Sequence, residues 1–309
     1  MKRVAKLSTH LTTNDLNAEN LFNINGKVAL ITGGSIGIGL MMAKTLVANG
    51  ARVYICSRKS QACEDAVIEL NALAGNEGRA ISLPGDLSSI QGVVDVVDHL
   101  TKKESHLNIL INNAGATWGA PLEEYPDAAW ERVMNLNVRH LFNLTQKLLP
   151  LLKNGSQFGD PGVSLNHSVF VFIIQNFVLQ RVVNIASVDG IRASQTFGPN
   201  AAFAYTASKG AVVHLTKALC RALSPFQITV NCICPGVFRS KMTQFMLSSS
   251  TGEKILNQSN PLKRIGRTSD IGGTALYLCS SAGAFTNGAI IPLDGGQHLH
   301  SEIFPDTNA

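Results

Sequence analysis

Tyr205 and Lys209 lie four residues apart in Tyr-Thr-Ala-Ser-Lys, at the start of a helix-length segment. Positions i and i+4 share a helical face, so the lysine ammonium reaches the neighbourhood of the phenol. A free phenol ionises near pH 10, too high for a base at neutral pH, and a nearby cation favours the phenolate. Lys209 is therefore expected to lower the Tyr205 pKa. Ser187, at the end of an apolar strand-like run, offers a hydroxyl to hold a substrate carbonyl oxygen. Taken singly, each is an ordinary helix or strand residue; together they describe proton transfer at a carbonyl.

A second group of residues suits a dinucleotide. Thr32-Gly33-Gly34-Ser35-Ile36-Gly37-Ile38-Gly39 joins a strand to a helix. Gly33 lets the chain turn, Gly37 lets the backbone approach a pyrophosphate, and Gly39 lets helix and strand pack closely. The helix N-terminus then presents free N–H groups to the phosphates; the alternative is a plain glycine-rich turn. The next strand ends in Ser57-Arg58-Lys59, with two cations and no acid. An acid there reads the ribose hydroxyls of NAD, whereas a basic residue accommodates a 2′-phosphate, so NADP(H) is expected over NAD(H). A solvated surface pair is the other reading. Gly85-Asp86-Leu87 places a carboxylate where it can accept the adenine amino group. Asn112-Asn113-Ala114-Gly115 offers small residues for close approach to the adenosine ribose. Either also fits ordinary turn chemistry.

These residues must be positioned by the elements around them. Short apolar runs at Lys27–Thr32, Ala51–Ser57, Arg79–Leu83, Leu107–Asn112, Arg181–Ser187, Ile228–Cys234 and Ala289–Leu293 read as strands. They alternate with helical segments at Gly37–Asn49, Ser60–Leu73, Ser88–Lys103, Asp127–Lys153, Ala204–Leu223 and Thr268–Cys279. Nearly continuous apolar strands mean helices on both faces of a parallel sheet. The expected fold is α/β, a single doubly wound Rossmann-type domain. Ligands then bind at the carboxyl ends of the strands, after Thr32, Asn112, Ser187 and Cys234.

TGGSIGIG, NNAG, the Ser187 strand end, YTASK and Pro235-Gly236 occur in the order seen in the short-chain dehydrogenase/reductase family, which the chain resembles over roughly residues 22 to 296. NPLKRIGRTSDIGG and the closing LDGGQ resemble the family's C-terminal pattern. SVDG and AYTASKGAVVHLT are similar to 3-oxoacyl-carrier-protein reductase-like members. The resemblance implies that Tyr205 is the general acid/base, that Ser187 positions the carbonyl, and that Lys209 binds the nicotinamide ribose. Asn137, in WERVMNLNV, matches the fourth catalytic residue, which holds a proton-relay water. Phe238 and Ser240, after Pro235 and Gly236, match positions that contact the nicotinamide carboxamide. Ile36 stands where many NADP-dependent members carry a cation, so phosphate recognition would rest on Arg58, Lys59 and Ser35. Ser187 and Tyr205 stand a few residues farther apart than is usual, the extra residues falling around Gln195–Asn200. Phe197, Trp118, Met242, Phe245 and Met246 would make the substrate mouth apolar; a variable loop without bearing on specificity is the equal alternative.

One stretch breaks the rhythm. Asn154–Gln180, with the apolar run SVFVFIIQNFVL, replaces a connection of about 2–6 residues. Removing Val163–Gln180 joins GSQFGDPG to RVVNIAS. Val-Ser at the start of that block can be encoded as a splice donor, and Gln180 at its end as an acceptor. A retained intron or a gene-model error is therefore expected; the alternative is a true insertion. An exposed β-prone apolar run is an aggregation hazard, and it follows the long helix that family members use in dimer and tetramer contacts.

Composition narrows the function classes. Charged residues make up 15% and the net charge is +5 with no basic run, so a nucleic-acid partner is not expected. The longest apolar run falls short of the about 20 residues a bilayer span needs. Cys56, Cys63, Cys220, Cys232, Cys234 and Cys279 form no CxxC pair and read as reduced core thiols. No metal site is expected. Residues 1–24 read as a tail, with a mitochondrial presequence as the minor alternative to a cytoplasmic protein, and residues 301–309 as a second tail around a 25–300 domain. The expected function is NADP(H)-dependent interconversion of a carbonyl and a secondary alcohol in a homo-oligomer, with a small-molecule substrate that has apolar parts. The alternatives are a non-catalytic nucleotide-binding protein and an isoform disabled by the 154–180 segment.

Overall fold

In the computed structural model, residues 13–73, 78–155, 179–193, 198–240, 243, 250–258 and 260–299 are described. Seven strands form one parallel sheet in the order β3-β2-β1-β4-β5-β6-β7. They are β1 (Val28–Thr32), β2 (Arg52–Cys56), β3 (Arg79–Ser82), β4 (Ile109–Asn112), β5 (Gln180–Ile185), β6 (Ile228–Pro235) and β7 (Ile290–Leu293). Each strand expected from the sequence is present, with ends displaced by a residue or two. The order reverses between β1 and β4, which opens a crevice at their carboxyl ends.

Helices cover both faces. They are α1 (Gly37–Ala48), α2 (Ser60–Leu73), α3 (Ile90–Thr101), α4 (Asp127–Met134), α5 (His140–Lys147), α6 (Leu149–Gly155), α7 (Phe203–Leu223), α8 (Ser250–Gln258) and α9 (Thr268–Cys279). Successive β1 side chains go to opposite layers. Ala29 and Ile31 pack with α1, α2 and α9, while Val28 and Leu30 pack with α3, α5, α6 and α7. That two-sided burial is why the strands carry no alternating polar positions. Gly272 in α9 permits the closest approach to α1: a Cβ there would stand 2.9 Å from Thr45 Cβ.

Two helical features depart from the sequence expectation. The segment Asp127–Lys153, expected as one helix, is divided into α4, a π-turn at Asn135–Arg139, α5 and α6. Pro150 has no N–H and its ring clashes with the carbonyl four residues back, so the helix restarts just before it. The π-turn sets Asn137 inward, as described below. Helix α8 is absent from the sequence expectation; of its nine residues only Ile255 and Leu256 are large and apolar.

At the amino end of the sheet, α6 stops at Gly155 and β5 begins at Gln180. The two flanks touch: a Cβ on Gly155 would lie 2.9 Å from Gln180 Cδ. Gln180 is fully buried, accepting from Asn108 Nδ2 at 3.0 Å, while Asn108 Oδ1 accepts from Val28 N at 2.8 Å. An excision ending at Gln180 therefore takes the first residue of β5. Residues 156–178, most of the expected insertion, lie outside the described residues. All six cysteines are free thiols.

Candidate active site

The cradle is built first by backbone conformation. Gly33 and Gly37 hold φ of +63° and +57°, a region where L side chains are strained. A Cβ on Gly37 would stand 3.1 Å from Ser240 Cβ, so the turn runs close to the segment after β6. Ile36 caps α1 without a side-chain hydrogen bond, which leaves the first amides of that helix for an external acceptor. Asn113 locks the turn from the neighbouring strand, its Nδ2 donating to the carbonyls of Thr32 and Gly33 at 2.9 and 3.1 Å. Thr32 Oγ1 in return accepts from the amides of Asn113 and Ala114, both at 2.9 Å.

At the end of β2, buried Ser35 donates from its Oγ to Ser57 Oγ at 2.8 Å. Arg58 and Lys59 are exposed beside this pair, and neither meets an acid among the described residues. Two hydroxyls and a forked cation with no carboxylate fit the 2′-phosphate of a dinucleotide. Asp86 is exposed, and its Oδ1 accepts from Ser88 N at 2.9 Å, an Asx turn that opens α3. Leu87 is buried and its carbonyl accepts from His140 Nδ1 at 2.8 Å, which fixes the loop floor. Gly115 closes the cradle: a Cβ there would come 3.2 Å from Asn137 Oδ1 and 3.6 Å from Lys209 Nζ.

The reactive groups gather beyond this cradle. Ser187 ends the stretch after β5, Tyr205 and Lys209 lie in the first turns of α7, and Asn137 lies in the π-turn. The Ser187 hydroxyl favours the ionised form of the Tyr205 phenol. Lys209 Nζ donates to the Ile185 carbonyl at 2.9 Å and stands 5.5 Å from the centroid of the Tyr205 ring. Asn137 Oδ1 accepts from Ala116 N at 2.8 Å; its Nδ2 donates to Ala116 O and Ser208 Oγ, both at 2.9 Å.

Burial works against the expected effect of Lys209 on Tyr205. Burial pushes the phenol up to about 12, against the Ser187 hydroxyl, with Asp189 and Cys234 adding to the rise. Lys209 itself is pushed down to about 8 by burial, so its ammonium is weakened by the same enclosure. Both N–H groups of the Asn137 amide are engaged, so that amide ties the Ala116 loop to α7.

The segment after β6 is held from behind. Gly266 N donates to Val237 O at 2.8 Å, and Gly236 N donates to Leu293 O at 3.0 Å beside Pro235. Phe238 is buried with its ring against Gly266, so only its backbone faces the cleft. Ser240 bonds Thr243 and borders Gly37. At the mouth, exposed Trp118 gives its carbonyl to the Tyr125 hydroxyl at 3.2 Å, and Tyr125 packs edge-on to Phe203 at 5.6 Å. Phe197, Met242, Phe245 and Met246 lie outside the described residues.

Sequence reasoning missed three residues of the site. Ser208 donates to the Tyr205 carbonyl at 2.7 Å and receives Asn137; its place three residues after Tyr205, on the same helical face, was the available signal. Thr32 gives the hydroxyl that receives two amides, and Asp189 sits buried against Ser187. Among the described residues, no cluster of potential ligands suits a metal ion and no helix is long and apolar enough to cross a membrane.

Comparison with known proteins agrees with this geometry. The family described as short chain dehydrogenase matches residues 27–160, and that described as Enoyl-(Acyl carrier protein) reductase matches residues 162–298. The chain is 39% identical over 278 residues to the "Rhamnolipids biosynthesis 3-oxoacyl-[acyl-carrier-protein] reductase" of Pseudomonas aeruginosa, covering 90% of this chain and 98% of that protein. It is 33% identical over 309 residues to the short-chain dehydrogenase/reductase VdtF of Byssochlamys spectabilis, covering 91% and 95% of the two chains. Among solved structures, the Pseudomonas aeruginosa RhlG/NADP active-site complex superposes with a TM-score of 0.79 at 39% identity, covering 90% of this chain and 98% of that one.

Proposed function

From the premise that this chain belongs to the short-chain dehydrogenase/reductase family, we propose that it is an NADP(H)-dependent reductase in which Tyr205 protonates the carbonyl oxygen. The chain is an oxidoreductase interconverting carbonyls and secondary alcohols. The observation that carries the residue roles is the convergence of Ser187, Tyr205, Lys209 and Asn137 beside Gly115, at the carboxyl ends of β4 and β5. The cradle of Gly33, Gly37, Gly39, Asn113 and Ala114 fits a dinucleotide, and Ser35, Ser57, Arg58 and Lys59 fit its 2′-phosphate. Held there, the reduced nicotinamide supplies a hydride to the carbonyl carbon.

Tyr205 keeps its proton at neutral pH and can pass it to the carbonyl oxygen in reduction and take it back in oxidation. Ser187 orients the oxygen that receives this proton. Lys209, fixed by the Ile185 carbonyl, presents its ammonium between Tyr205 and the Gly115 loop, where a ribose hydroxyl can bond it. Asn137 and Ser208 fix the distance between that loop and α7.

The P. aeruginosa relative's name supports a 3-oxoacyl thioester as the first substrate to try. The test is a fluorescence titration with NADPH and NADH, followed by turnover of acetoacetyl-CoA. Tighter NADPH binding with turnover supports the reading; binding of neither cofactor removes it. Exposed Trp130 on α4 and Phe142 on α5 are apolar side chains that contact between copies in a homo-oligomer would cover, checked by light scattering. Six free thiols support a reducing, cytoplasmic setting. For the 25–300 domain, the approach of Gly155 to Gln180 supports an added segment between them, with Gln180 itself part of the sheet. Sequencing of the mature transcript decides whether it is translated.

A further inference from the structure

We infer that Tyr125 is a positioning residue that holds the start of α7, and with it Tyr205, against the mouth of the site. The first amides of a helix have no carbonyl partner inside it, and an N-cap side chain ordinarily accepts from one of them. Helix α7 lacks that device. Its N-cap is Ala202, whose methyl group accepts nothing, and the internal ladder begins with Thr206 N donating to the Ala202 carbonyl at 2.9 Å. Ala204, the residue before Tyr205, therefore needs an acceptor from elsewhere. It finds one 79 residues back in the chain: Ala204 N donates to the Tyr125 hydroxyl over a long 3.3 Å.

A tyrosine hydroxyl gives one proton and can receive another. The Tyr125 hydroxyl does both, donating to the Trp118 carbonyl at 3.2 Å, so it bonds the mouth and the catalytic helix at once. The ring adds a second hold. It meets Phe203, the first residue of α7, edge-on at 5.6 Å, and Trp130 of α4 edge-on at 6.3 Å, separations at which such pairs attract. One side chain thus fixes Phe203 and Ala204, the two residues directly before Tyr205. Both partners of its hydroxyl are backbone groups, so Tyr125 acts through the helix. Removing that hydroxyl frees the first turn of α7, while the mouth keeps its own bond from Ala120 N to the Ala201 carbonyl at 3.2 Å. A shift at the start of the helix moves the phenol relative to the carbonyl it protonates, and transfer is sensitive to that placement.

This inference rests on Tyr205 being the proton donor, so the experiment separates the two. Tyr125→Phe keeps the ring and loses the hydroxyl. Reduction of acetoacetyl-CoA by NADPH is expected to lose about tenfold in kcat, with KM and the NADPH dissociation constant within about twofold of the wild type. Hydrogen exchange, followed by mass spectrometry on peptides of α7, is expected to be about tenfold faster over residues 203–206 and unchanged from Val212 onward. Tyr125→Leu, which also gives up the edge-on contacts, is expected to lose more kcat than Tyr125→Phe. Unchanged exchange over residues 203–206 in Tyr125→Phe overturns the inference. Faster exchange with unchanged kcat overturns it too, since the hydroxyl would then cap the helix without positioning Tyr205. So does a fall in kcat matched by an equal loss of NADPH affinity. The reading beneath is judged separately: full turnover by Tyr205→Phe, or none by the wild type, removes it, and the exchange rates then decide whether Tyr125 holds the helix start.

Discussion

The two ends of the sheet solve the burial of polar groups in opposite ways. At the carboxyl end, the groups that shape the cradle answer one another, though Asn112 Oδ1 beside them does not: Asn113 spans two carbonyls, Thr32 receives two amides, and Asn137 binds both a loop and a helix. At the amino end, Arg181 is 5% exposed and makes one bond, from Nη2 to the Ser280 carbonyl at 3.0 Å; its Nε and Nη1 are buried without a partner. Lys27 nearby is pushed below the usual lysine value by burial and by the charge of Arg181. The paired groups around the cradle fix geometry to the precision that proton and hydride transfer need. The amino end needs only to hold the strands, and it tolerates a poorly paired charge and a long excursion between Gly155 and Gln180.

Breaking the carboxyl end should have the largest effect. Tyr205→Phe removes one hydroxyl and leaves the cradle intact, so turnover should fall by about 10³-fold while NADPH affinity stays near the wild type. Steady-state rates and a fluorescence titration on the same sample check this; equal loss of both would place Tyr205 in the fold rather than in the chemistry. Next in size is Arg58→Ser. Losing a charge-assisted phosphate contact should cut the preference for NADPH over NADH by about 10–100-fold, read as the ratio of the two dissociation constants.

The contrast between the ends also explains what could be read from the sequence. Each glycine, asparagine and serine at the carboxyl end has a backbone or side-chain duty that few other residues can perform, so TGGSIGIG, NNAG and YTASK carry their geometry openly. Strand positions were legible because burial on both faces forces unbroken apolar runs such as Val28–Ile31. What was hidden depends on contacts distant in sequence. Ser208 looks like a helix surface residue until Asn137 meets it from the π-turn. The upward push of burial on the Tyr205 pKa is hidden for the same reason: spacing predicts the neighbouring ammonium but not the burial of both groups. At the amino end nothing in the local pattern announces that Gln180 belongs to β5, since its role comes from Asn108 on the adjacent strand.

A smaller test uses pH. Lys209 is pushed down to about 8, so its ammonium is lost as pH rises through that value, well before Tyr205 releases its proton near 12. In the free enzyme, kcat/KM for reduction should fall about tenfold between pH 7 and pH 9, with the limb belonging to the lysine. Lys209→Arg keeps its charge across this range, so whatever activity it retains should lack the limb. A limb that survives in Lys209→Arg would assign it elsewhere and weaken the picture of a shared enclosure.

The smallest expected change comes from repairing the other end. Arg181→Met fills similar space and removes a desolvated guanidinium that has a single hydrogen bond. Replacing buried charge by an apolar chain often stabilises, here by about 1–3 kcal/mol, a rise of a few degrees in Tm. Turnover should be unchanged, because the site lies at the opposite ends of the strands. The sign of the pH dependence gives an internal check. Lys27 is lowered in the folded state, so between its folded value and the ordinary 10.5 the unfolded chain binds more protons and stability rises with pH. Removing Arg181 takes away one of the two causes of that shift, so the alkaline rise in Tm should be shallower in Arg181→Met than in the wild type. A variant that melts lower, or that loses turnover, would mean the amino end is as tightly specified as the catalytic one.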